Sequence, residues 1–433
     1  MKIAFVAQPF DVLLPIPKNS ISIWADEIST NIAQKHEVLV YSSKRDAHQH
    51  TAEKKQVKHI GIDTDWDNKL LNILNKIQVR IQTILSNYFK IKTNFYSPKA
   101  HFFRWYYYWF YIAAISLALK GEKVEAVIVP NFSQFLPIIR YFNKDVKIIL
   151  VMQCDWLIEI DSVRINSWIK SADLILGCSN HITQGIRDKL PQFQTRCKTL
   201  YNGTNITKFN SSQISQKRIK EIRNQLNLKN EQVILSAGRI TPEKGLHVLI
   251  EAMKLVVAIQ PESILLVAGP FATNAPSPIA SQERDSQLHK IEKLKNNYKG
   301  YLKSISYGIE EKVKFLGSLP HAQLAAYYSL CDIFVHPSVW NEPFGMILTE
   351  AMSCQRPVIS TYRGGIPEIV VHNQTGLLVQ PNDPQALAEA ILQLLKSEVR
   401  RQEMGRAGKI RVEQEFSWEK SSRILLGFLD EMQ

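Results

Sequence analysis

The first candidate site is a loop that carries two cations. Its sequence is Gly238-Arg239-Ile240-Thr241-Pro242-Glu243-Lys244-Gly245. The guanidinium of Arg239 offers a planar fork of donors that matches a phosphate, and Lys244 adds a point charge near the start of the next helix. This pairing suits a diphosphate. The alternative is an ordinary turn in which Thr241 and Pro242 open the helix and both cations are solvated.

Two glutamates form the second candidate site. They lie in the segment Trp340-Asn341-Glu342-Pro343-Phe344-Gly345-Met346-Ile347-Leu348-Thr349-Glu350. If a helix begins near Gly345, then Glu342 precedes it, Glu350 lies on it, and both can face one crevice. A carboxylate accepts both hydroxyl protons of a vicinal diol, and the N–H groups from Phe344 to Met346 suit an anionic or hydroxyl-rich ligand. The alternative is a capping glutamate and a surface glutamate, as on any helix.

Short apolar segments rich in β-branched residues precede these loops and recur along the chain. The predicted strands are residues 2–7, 37–41, 124–129, 146–152, 173–177, 198–201, 233–237, 264–268, 313–315, 332–336, 357–360 and 376–379. Helical segments alternate with them, which predicts parallel sheets covered on both faces. The fold class is therefore α/β, with two tandem doubly wound (Rossmann-like) domains facing each other across a cleft. Ligands of such sheets bind beyond the carboxyl ends of the strands, where both candidate sites lie.

A polar segment at residues 203–229 contains no apolar strand and marks an inter-domain linker that leads into a helix. We therefore predict one domain over residues 1–205 and a second over residues 206–415.

The composition excludes several classes of protein. The chain has 433 residues, 45% of them hydrophobic, which is typical of globular proteins and not of disordered chains. Its five cysteines are irregularly spaced, fit a reducing compartment and show no zinc-ligand pattern. The longest apolar run is too short for a membrane span, and the first residues do not read as a signal peptide. We expect a cytoplasmic protein without a bound metal.

The net charge of +13 is concentrated in one region. Residues 68–121 contain no aspartate or glutamate. Within them, residues 69–90 place apolar side chains at helical spacing opposite Lys69, Lys76, Arg80 and Lys90. Two interpretations of such a helix are open. It lies in the interface of an anionic membrane, which here would be the inner membrane face, or it packs on its own sheet. The aromatic residues 102–111 are predicted to form a core helix, with an acceptor groove lined by them as the alternative. No nucleic-acid recognition motif accompanies the charge, so no nucleic-acid partner is expected.

Several motifs carry a resemblance to a known family. The segments GRITPEKG, EPFGMILTEAMSC, PVIS, GGIPEIV and TGLLV, in this order and spacing, resemble the C-terminal domain of the family-4 retaining glycosyltransferases, which have the two-Rossmann GT-B fold. The resemblance is dense over residues 170–430 and weaker before them. It implies transfer of a hexose-type sugar from a nucleotide-diphosphate sugar, as co-substrate, to an acceptor hydroxyl on a lipid carrier, glycan or small metabolite, with no metal or other cofactor.

The resemblance also implies residue roles. Arg239 and Lys244 would bind the donor diphosphate, Glu342 the sugar hydroxyls and Glu350 the ribose diol. The remaining predicted donor-binding residues are Gly238, Phe344, Gly345 and Met346. Arg239, Lys244 and Glu342 are the catalytic candidates, because charge grows on the departing diphosphate. Residues 206–415 would bind the donor and residues 1–205 the acceptor, with a helix at 416–433 packing back on the N-terminal domain.

The chain departs from the family pattern on the predicted acceptor side. Asn19 and Ser20 stand where a glycine pair is common, and Gln153 stands where many members have histidine, with Asp155 close behind it. These four residues are our acceptor-side candidates, and Asp155 is a speculative substitute for the histidine.

Other functions stay open from the sequence. One is a basic peripheral-membrane or scaffold protein with a catalytically impaired two-Rossmann fold, and another is a two-Rossmann phosphorylase or a sugar-nucleotide epimerase. His321 and His336 are predicted to be structural. Asp63 and Asp65 form an Asp-x-Asp pair that we interpret as an acidic loop, because the glycine and glutamate of a calcium loop are missing after it.

Overall fold

The computed structural model describes residues 1–11, 13, 19–44, 51–89, 104–159, 162–271 and 297–432. Contacts divide the chain into two compact units. Unit 1 comprises Met1–Cys178, Ile182–Leu200 and Ser421–Gln433, and unit 2 comprises Ser179–His181 and Tyr201–Lys420. This division falls between Leu200 and Tyr201, whereas the boundary predicted from the sequence follows residue 205.

Within its described residues, unit 1 contains one eight-stranded sheet. The strands are β1 (Lys2–Val6), β2 (Glu37–Ser43), β3 (Thr51–Lys54), β4 (Val57–Ile62), β5 (Ala126–Pro130), β6 (Lys147–Met152), β7 (Leu174–Gly177) and β8 (Cys197–Thr199). Their order is β3-β4-β2-β1-β5-β6-β7-β8, and all neighbours are parallel except β3 and β4. The helices of this half are α1 (Ser20–Ala33), α2 (Asp65–Phe89), α3 (Trp109–Glu122), α4 (Leu136–Phe142), α5 (Trp156–Glu159), α6 (Ser162–Ile169) and α7 (Asn180–Lys189).

The described residues of unit 2 contain a six-stranded parallel sheet. The strands are β9 (Gln232–Ala237), β10 (Ser263–Ala268), β11 (Val313–Gly317), β12 (Ile333–Val335), β13 (Val358–Thr361) and β14 (Gly376–Val379), in the order β11-β10-β9-β12-β13-β14. The helices of this half are α8 (Gln216–Gln225), α9 (Leu246–Ile259), α10 (Tyr298–Ile305), α11 (Leu324–Leu330), α12 (Met346–Ser353), α13 (Ile366–Ile369), α14 (Pro384–Leu395) and α15 (Glu398–Glu415). The last helix, α16 (Trp418–Asp430), begins in unit 2 and belongs to unit 1 from Ser421 on. The two sheets confirm the predicted α/β fold class.

The central strands are apolar along their length because helices cover both faces of a parallel sheet. β1 reads KIAFV, β6 reads KIILVM and β9 reads QVILSA, and in each strand every residue after the first is buried. In unit 2, Ile234, Leu265 and Ile333 of the sheet belong to the same buried core as Leu249 of α9 and Ile391 of α14. This close-packed layer fixes the loops at the carboxyl edge of the sheet.

Each sheet has a point at which the strand order reverses. It lies between β1 and β5 in unit 1 and between β9 and β12 in unit 2. At such a point the following loops diverge to opposite sides, and the crevice between them is where open α/β sheets bind ligands. We call these two places the unit 1 switch point and the unit 2 switch point.

β3 and β4 are absent from the strands predicted from the sequence. β3 is a short edge strand whose residues are alternately exposed and half-buried. Because none of them enters the core, its sequence, TAEK, contains no apolar run. The turn between the two strands is made by Lys55 and Gln56, which take positive φ angles of 50° and 65° without glycine or asparagine. The sequence therefore gives neither the strand signal nor the usual turn signal at this hairpin.

The aromatic segment before α3 differs from its prediction. The helix begins only at Trp109, and Tyr111 is fully buried, with its hydroxyl donating to the carbonyl of Ala7 at 3.0 Å. Trp105 is 65% exposed and Phe110 is 43% exposed, so the prediction of a core helix is wrong for them. Residues 102 and 103 lie outside the described ranges.

α2 covers the predicted amphipathic segment up to Phe89, and residue 90 lies outside the described ranges. The oxygens of Asp67 accept the backbone N–H groups of Phe110 and Tyr111, each at 2.9 Å, and this joins the beginning of α2 to the beginning of α3. None of the helices in the described ranges is both long and apolar enough to cross a membrane.

Candidate active site at the unit 2 switch point

Side chains that follow β9 and β12 meet at the unit 2 switch point. Gly238 and Arg239 come directly after β9 and lead into a short 3-10 helix, Pro242–Lys244. Lys244 donates a hydrogen bond from Nζ to Oε1 of Glu342, which lies in the loop after β12. The structure thus joins two predicted donor contacts that are 98 residues apart in the chain.

Glu342 is buried and accepts further hydrogen bonds. His336 Nε2 and Ser338 Oγ reach the same Oε1 atom at 3.0 and 3.1 Å. Burial alone would raise the pKa of Glu342, but Lys244 and His336 outweigh it and hold that pKa well below its usual range. The carboxylate is therefore ionised and is a weak base. Within the described residues no donor reaches Oε2, which leaves that oxygen for a hydroxyl of a ligand.

The two predicted cations differ in their surroundings. Lys244 pairs with Glu342, and its ammonium lies 5.3 Å above the centre of the Trp340 ring. Arg239 is exposed and has no hydrogen bond or ion pair within the part of the chain that the structure describes. One cation is thus held in place by a counter-ion, whereas the other is open to an anion.

Glu350 lies on α12 and is held from two sides. His321 Nε2 contacts Oε1 at 2.7 Å, and the hydroxyl of Tyr328 on α11 donates to Oε2 at 3.0 Å. Nδ1 of His321 lies 2.8 Å from Nζ of Lys208. Glu350 is almost completely buried, so its orientation is set by these contacts rather than by water.

The segment before Glu350 follows its prediction closely. Gly345, at φ 114°, caps α12, which begins at Met346, so the first N–H groups of the helix have no partner inside it. The Phe344 side chain is buried and packs near Tyr201 and Phe416, with ring centres 6.2 and 5.7 Å away. Phe344 can therefore serve a ligand only through its backbone.

Gly364 supports Glu342 from the loop after β13. Its φ is 56°, and a Cβ atom there would lie 2.2 Å from the carbonyl oxygen of Glu342. The next residue, Gly365, donates its N–H to the same carbonyl at 2.7 Å. Only glycine permits this close approach, so Gly364 fixes the position of the Glu342 backbone.

Three buried polar atoms on the Lys244 loop and on Trp340 have no hydrogen-bond partner among the residues that the structure describes: Thr241 Oγ1, Glu243 Oε2 and Trp340 Nε1. Thr241 and Glu243 precede Lys244 on the same loop, and the ring of Trp340 lies under its ammonium. Buried polar atoms are nearly always paired, so this cluster indicates a place where a polar ligand completes the hydrogen bonding.

Neither His336 nor His321 is predicted from the sequence to belong to the site. Both are predicted as structural, yet each contacts one of the two predicted site carboxylates. His336 carries a usable signal, because it directly follows β12 at the switch point. His321 carries none, because it lies after β11, which is separated from β12 by two other strands.

Two of the four acceptor-side candidates, Asn19 and Gln153, contact residues at the unit 1 switch point. Asn19 caps α1 and donates from Nδ2 to Asp11 at 2.6 Å, and Gln8 donates to the other oxygen of Asp11 at 2.8 Å. Asn131, after β5, donates to Gln8 at 3.4 Å and accepts the backbone N–H of Gln153 at 2.8 Å. Asn19 and Gln153 therefore belong to one polar network, in which burial raises the pKa of Asp11.

The other two candidates mark helix starts. Ser20 is the exposed first residue of α1, and the carbonyl of Asp155 accepts the N–H of Ile158 at the beginning of α5. The sequence missed Gln8, Asp11 and Asn131, although each follows the carboxyl end of β1 or β5.

The family profile described as "Glycosyl transferases group 1" matches residues 218–411. This segment is less than half of the chain, and we call it the group 1 domain for this likeness. It contains the unit 2 switch point, with both Lys244 and Glu342.

Curated relatives extend the match beyond the group 1 domain. Spore coat protein SA of Bacillus subtilis (strain 168) is 24% identical over 435 residues, which cover 98% of each chain. The GDP-mannose-dependent monoacylated alpha-(1-6)-phosphatidylinositol monomannoside mannosyltransferase of Corynebacterium glutamicum is 32% identical over 193 residues, which cover 43% of this chain and 44% of that enzyme.

Solved structures share the whole architecture. Anabaena HepE in complex with UDP and glucose superposes with a TM-score of 0.71 at 18% identity and full coverage of both chains. Sucrose-phosphate synthase from Thermosynechococcus elongatus gives 0.70 at 19% identity, with coverage of 100% of this chain and 98% of that one. At such identities these likenesses establish the fold, which is the GT-B fold. The chain is thus similar to group 1 glycosyl transferases over residues 218–411 and shares its fold with these structures over its whole length.

Proposed function

We propose that this protein is a retaining, family-4-type glycosyltransferase that moves a hexose-type sugar from a nucleotide-diphosphate sugar to an acceptor hydroxyl. The observation that carries the proposal is the arrangement at the unit 2 switch point. Arg239 and the Lys244–Glu342 pair lie there within a group 1 domain, and Glu350 is held by two protein donors. Cations for a diphosphate and carboxylates for hydroxyls are the groups that a nucleotide sugar requires.

The departing diphosphate explains the two cations. The bond between the sugar C1 and the diphosphate oxygen breaks, and the leaving oxygen gains negative charge. Arg239 and Lys244 stabilise that charge, which is the main electrostatic task of this reaction. In this proposal the protein supplies the positive charge itself and needs no metal.

Retention follows from a same-face attack. The acceptor oxygen bonds to C1 on the face from which the diphosphate leaves, and the acceptor proton passes to an oxygen of the departing phosphate. The low pKa of Glu342 supports this route, because a carboxylate paired with Lys244 is too weak a base to take that proton. Glu342 then serves to bind and orient sugar hydroxyls.

The relatives suggest which donors to test. HepE is solved with UDP and glucose, and the Corynebacterium relative is named as GDP-mannose-dependent, so both uracil and guanine nucleotides deserve trial. UDP, GDP and ADP are compared by the rise in melting temperature that each produces, since a bound ligand stabilises by mass action. The corresponding hexose donor is then used to measure turnover.

The decisive variants are Arg239→Ala and Glu350→Ala. We expect each to reduce donor turnover about 10²- to 10³-fold, because each removes a charged contact with the donor. Arg218→Ala on α8, which pairs with Glu221 at 3.3 Å, is the matched control and should keep its activity. Near-normal turnover in both site variants contradicts the assigned roles. Tight nucleotide binding without any product from any acceptor pool would instead favour the impaired scaffold.

A second observation supports a location at a membrane. Trp66, Trp105 and Phe110 are 68%, 65% and 43% exposed, and Asp67 holds the beginnings of α2 and α3 together beside them. Ile73 and Ile81 of α2 are also about half exposed. Tryptophans beside a basic amphipathic helix are typical of membrane interfaces.

The charge of the surface formed by α2 and the beginning of α3 indicates which kind of membrane it binds. The cations Lys69, Lys76 and Arg80 lie on α2, and residues 68–121 contain no acidic residue. We propose a cytoplasmic protein that binds the inner membrane face through this surface, with anionic lipid as the partner. The free cysteines of the described residues are consistent with a reducing compartment.

Vesicle flotation tests the membrane proposal. The protein should float with phosphatidylcholine vesicles that contain phosphatidylglycerol, and less so at high salt. The double variant Trp66→Ser/Trp105→Ser should lose most of this binding. The double variant Lys217→Gln/Lys220→Gln, on the exposed face of α8, is the control for lost charge elsewhere. Binding that does not depend on anionic lipid, or that the double tryptophan variant retains, contradicts the proposal.

A further inference from the structure

His321 lies between two charged side chains from distant parts of the sequence. Lys208 precedes it by 113 residues and Glu350 follows it by 29. Nζ of Lys208 is 2.8 Å from Nδ1, and Oε1 of Glu350 is 2.7 Å from Nε2. The ring of Phe209 packs against the imidazole, with 5.1 Å between the ring centres. The histidine is thus contacted at both nitrogens and by a tilted aromatic ring.

These contacts determine the tautomer of His321. A lysine ammonium has only hydrogen-bond donors, so Nδ1 must accept from Lys208. Nε2 then carries the ring hydrogen and donates it to Glu350. The neutral imidazole transmits the polarising effect of the Lys208 charge to the carboxylate, since hydrogen bonds in a chain strengthen one another.

The hydrogen-bond capacity of Glu350 leaves room for a ligand. Each carboxylate oxygen has two acceptor positions. His321 uses one on Oε1 and Tyr328 uses one on Oε2, so each oxygen keeps one position for a hydroxyl. A carboxylate fixed in this way loses little rotational freedom when it binds two adjacent hydroxyls.

We propose that His321, supported by Lys208, is a positioning residue that orients Glu350 to accept the 2′- and 3′-hydroxyls of the donor ribose. The inference rests on the proposed function, which assigns the ribose to Glu350. His321 itself acts on the carboxylate and not on the reacting atoms. Its removal should weaken the recognition of the diol specifically, rather than nucleotide binding in general.

The test compares ribonucleotides with their deoxy forms. Among UDP, GDP and ADP, the tightest ligand and its 2′-deoxy analogue are titrated calorimetrically against the full chain. We expect the wild-type protein to prefer the ribonucleotide about ten- to hundredfold, since a hydrogen bond to a charged group carries that much discrimination. His321→Ala should reduce the preference to about threefold or less.

Two further variants separate positioning from folding. In His321→Gln the amide nitrogen can donate to Glu350 and the amide oxygen can accept from Lys208, so the preference should return in large part. Lys208→Met should reduce the preference less than His321→Ala does. His372→Ala is the matched control, because His372 accepts the N–H of Leu378 at 3.0 Å and has no contact with Glu350.

The outcomes distinguish this inference from the function on which it rests. A wild-type protein that binds both nucleotides equally contradicts the ribose role of Glu350, and the inference fails with it. A wild-type preference that His321→Ala leaves intact contradicts the inference alone. A preference lost equally in His321→Gln and His372→Ala would show a general effect on folding and would also overturn the inference.

Discussion

The two switch points share a topology but differ in their electrostatics. At the unit 2 switch point Lys244 pairs with an ionised Glu342, and Arg239 is exposed beside them. At the unit 1 switch point, amides surround Asp11, whose pKa is raised by burial. The first arrangement suits a ligand that carries or develops charge, and the second suits neutral hydroxyls. The same strand order therefore presents two chemically different sets of loop residues.

Removal of Lys244 tests the charged switch point and should have the largest effect. We expect Lys244→Ala to lower the rate of donor turnover about 10²- to 10³-fold, because the leaving diphosphate loses a fixed cation. Turnover is measured as release of the nucleoside diphosphate. Lys254→Ala on α9, which removes a half-buried lysine that pairs with Glu251 at 3.6 Å, is the control. Equal rates for the two variants would show that the unit 2 switch point does not stabilise the leaving group.

The pH dependence of stability should have opposite signs at the two switch points. The pKa of Glu342 is lowered, so its stabilising contribution is present above its unfolded pKa of about 4.3 and is lost as the pH falls below that value. The pKa of Asp11 is raised, so its contribution is present below about 3.9 and is lost as the pH rises through the folded pKa.

Two variants measure this difference by urea unfolding between pH 3 and pH 7. Relative to the wild type, Glu342→Gln should become less stable as the pH rises, by about 1–3 kcal/mol. Asp11→Asn should become relatively more stable over the same rise. Slopes of the same sign would mean that the two carboxylates do not differ as their surroundings indicate.

We expect the smallest effect from a variant in the polar network at the unit 1 switch point. Asn131 has a φ of 61°, a conformation that glycine tolerates, so Asn131→Gly removes the side chain without straining the backbone. We expect a loss of about 1 kcal/mol in the free energy of unfolding and slower transfer to the acceptor, with unchanged hydrolysis of the donor. Asn227→Gly in unit 2, where φ is 51°, is the control. A parallel fall in donor hydrolysis would contradict a separate role for unit 1.

The sequence predicts best what depends on local composition. Buried parallel strands must be apolar, so β1, β6 and β9 are evident, whereas the polar edge strand β3 is not. Arg239, Lys244 and Glu342 are charged residues in recognisable loops directly after strands. The contact of Lys208 with His321 depends instead on tertiary packing across 113 residues and gives no local signal. The network of Gln8 and Asn131 consists of amides around one aspartate, Asp11, so no charge pattern reveals it.

The ion pair at the unit 2 switch point also bears on which anions the protein admits. Because Glu342 already neutralises Lys244, inorganic phosphate or a simple phosphate ester meets one open cation, Arg239. Such an anion has no vicinal diol that Glu350 can bind. It therefore does not offset the free energy that is lost when the Lys244–Glu342 ion pair breaks. A nucleotide sugar offers phosphates and hydroxyls together. We therefore expect poor competition by common phosphates, with selectivity that arises from an internal counter-ion rather than from the shape of a pocket.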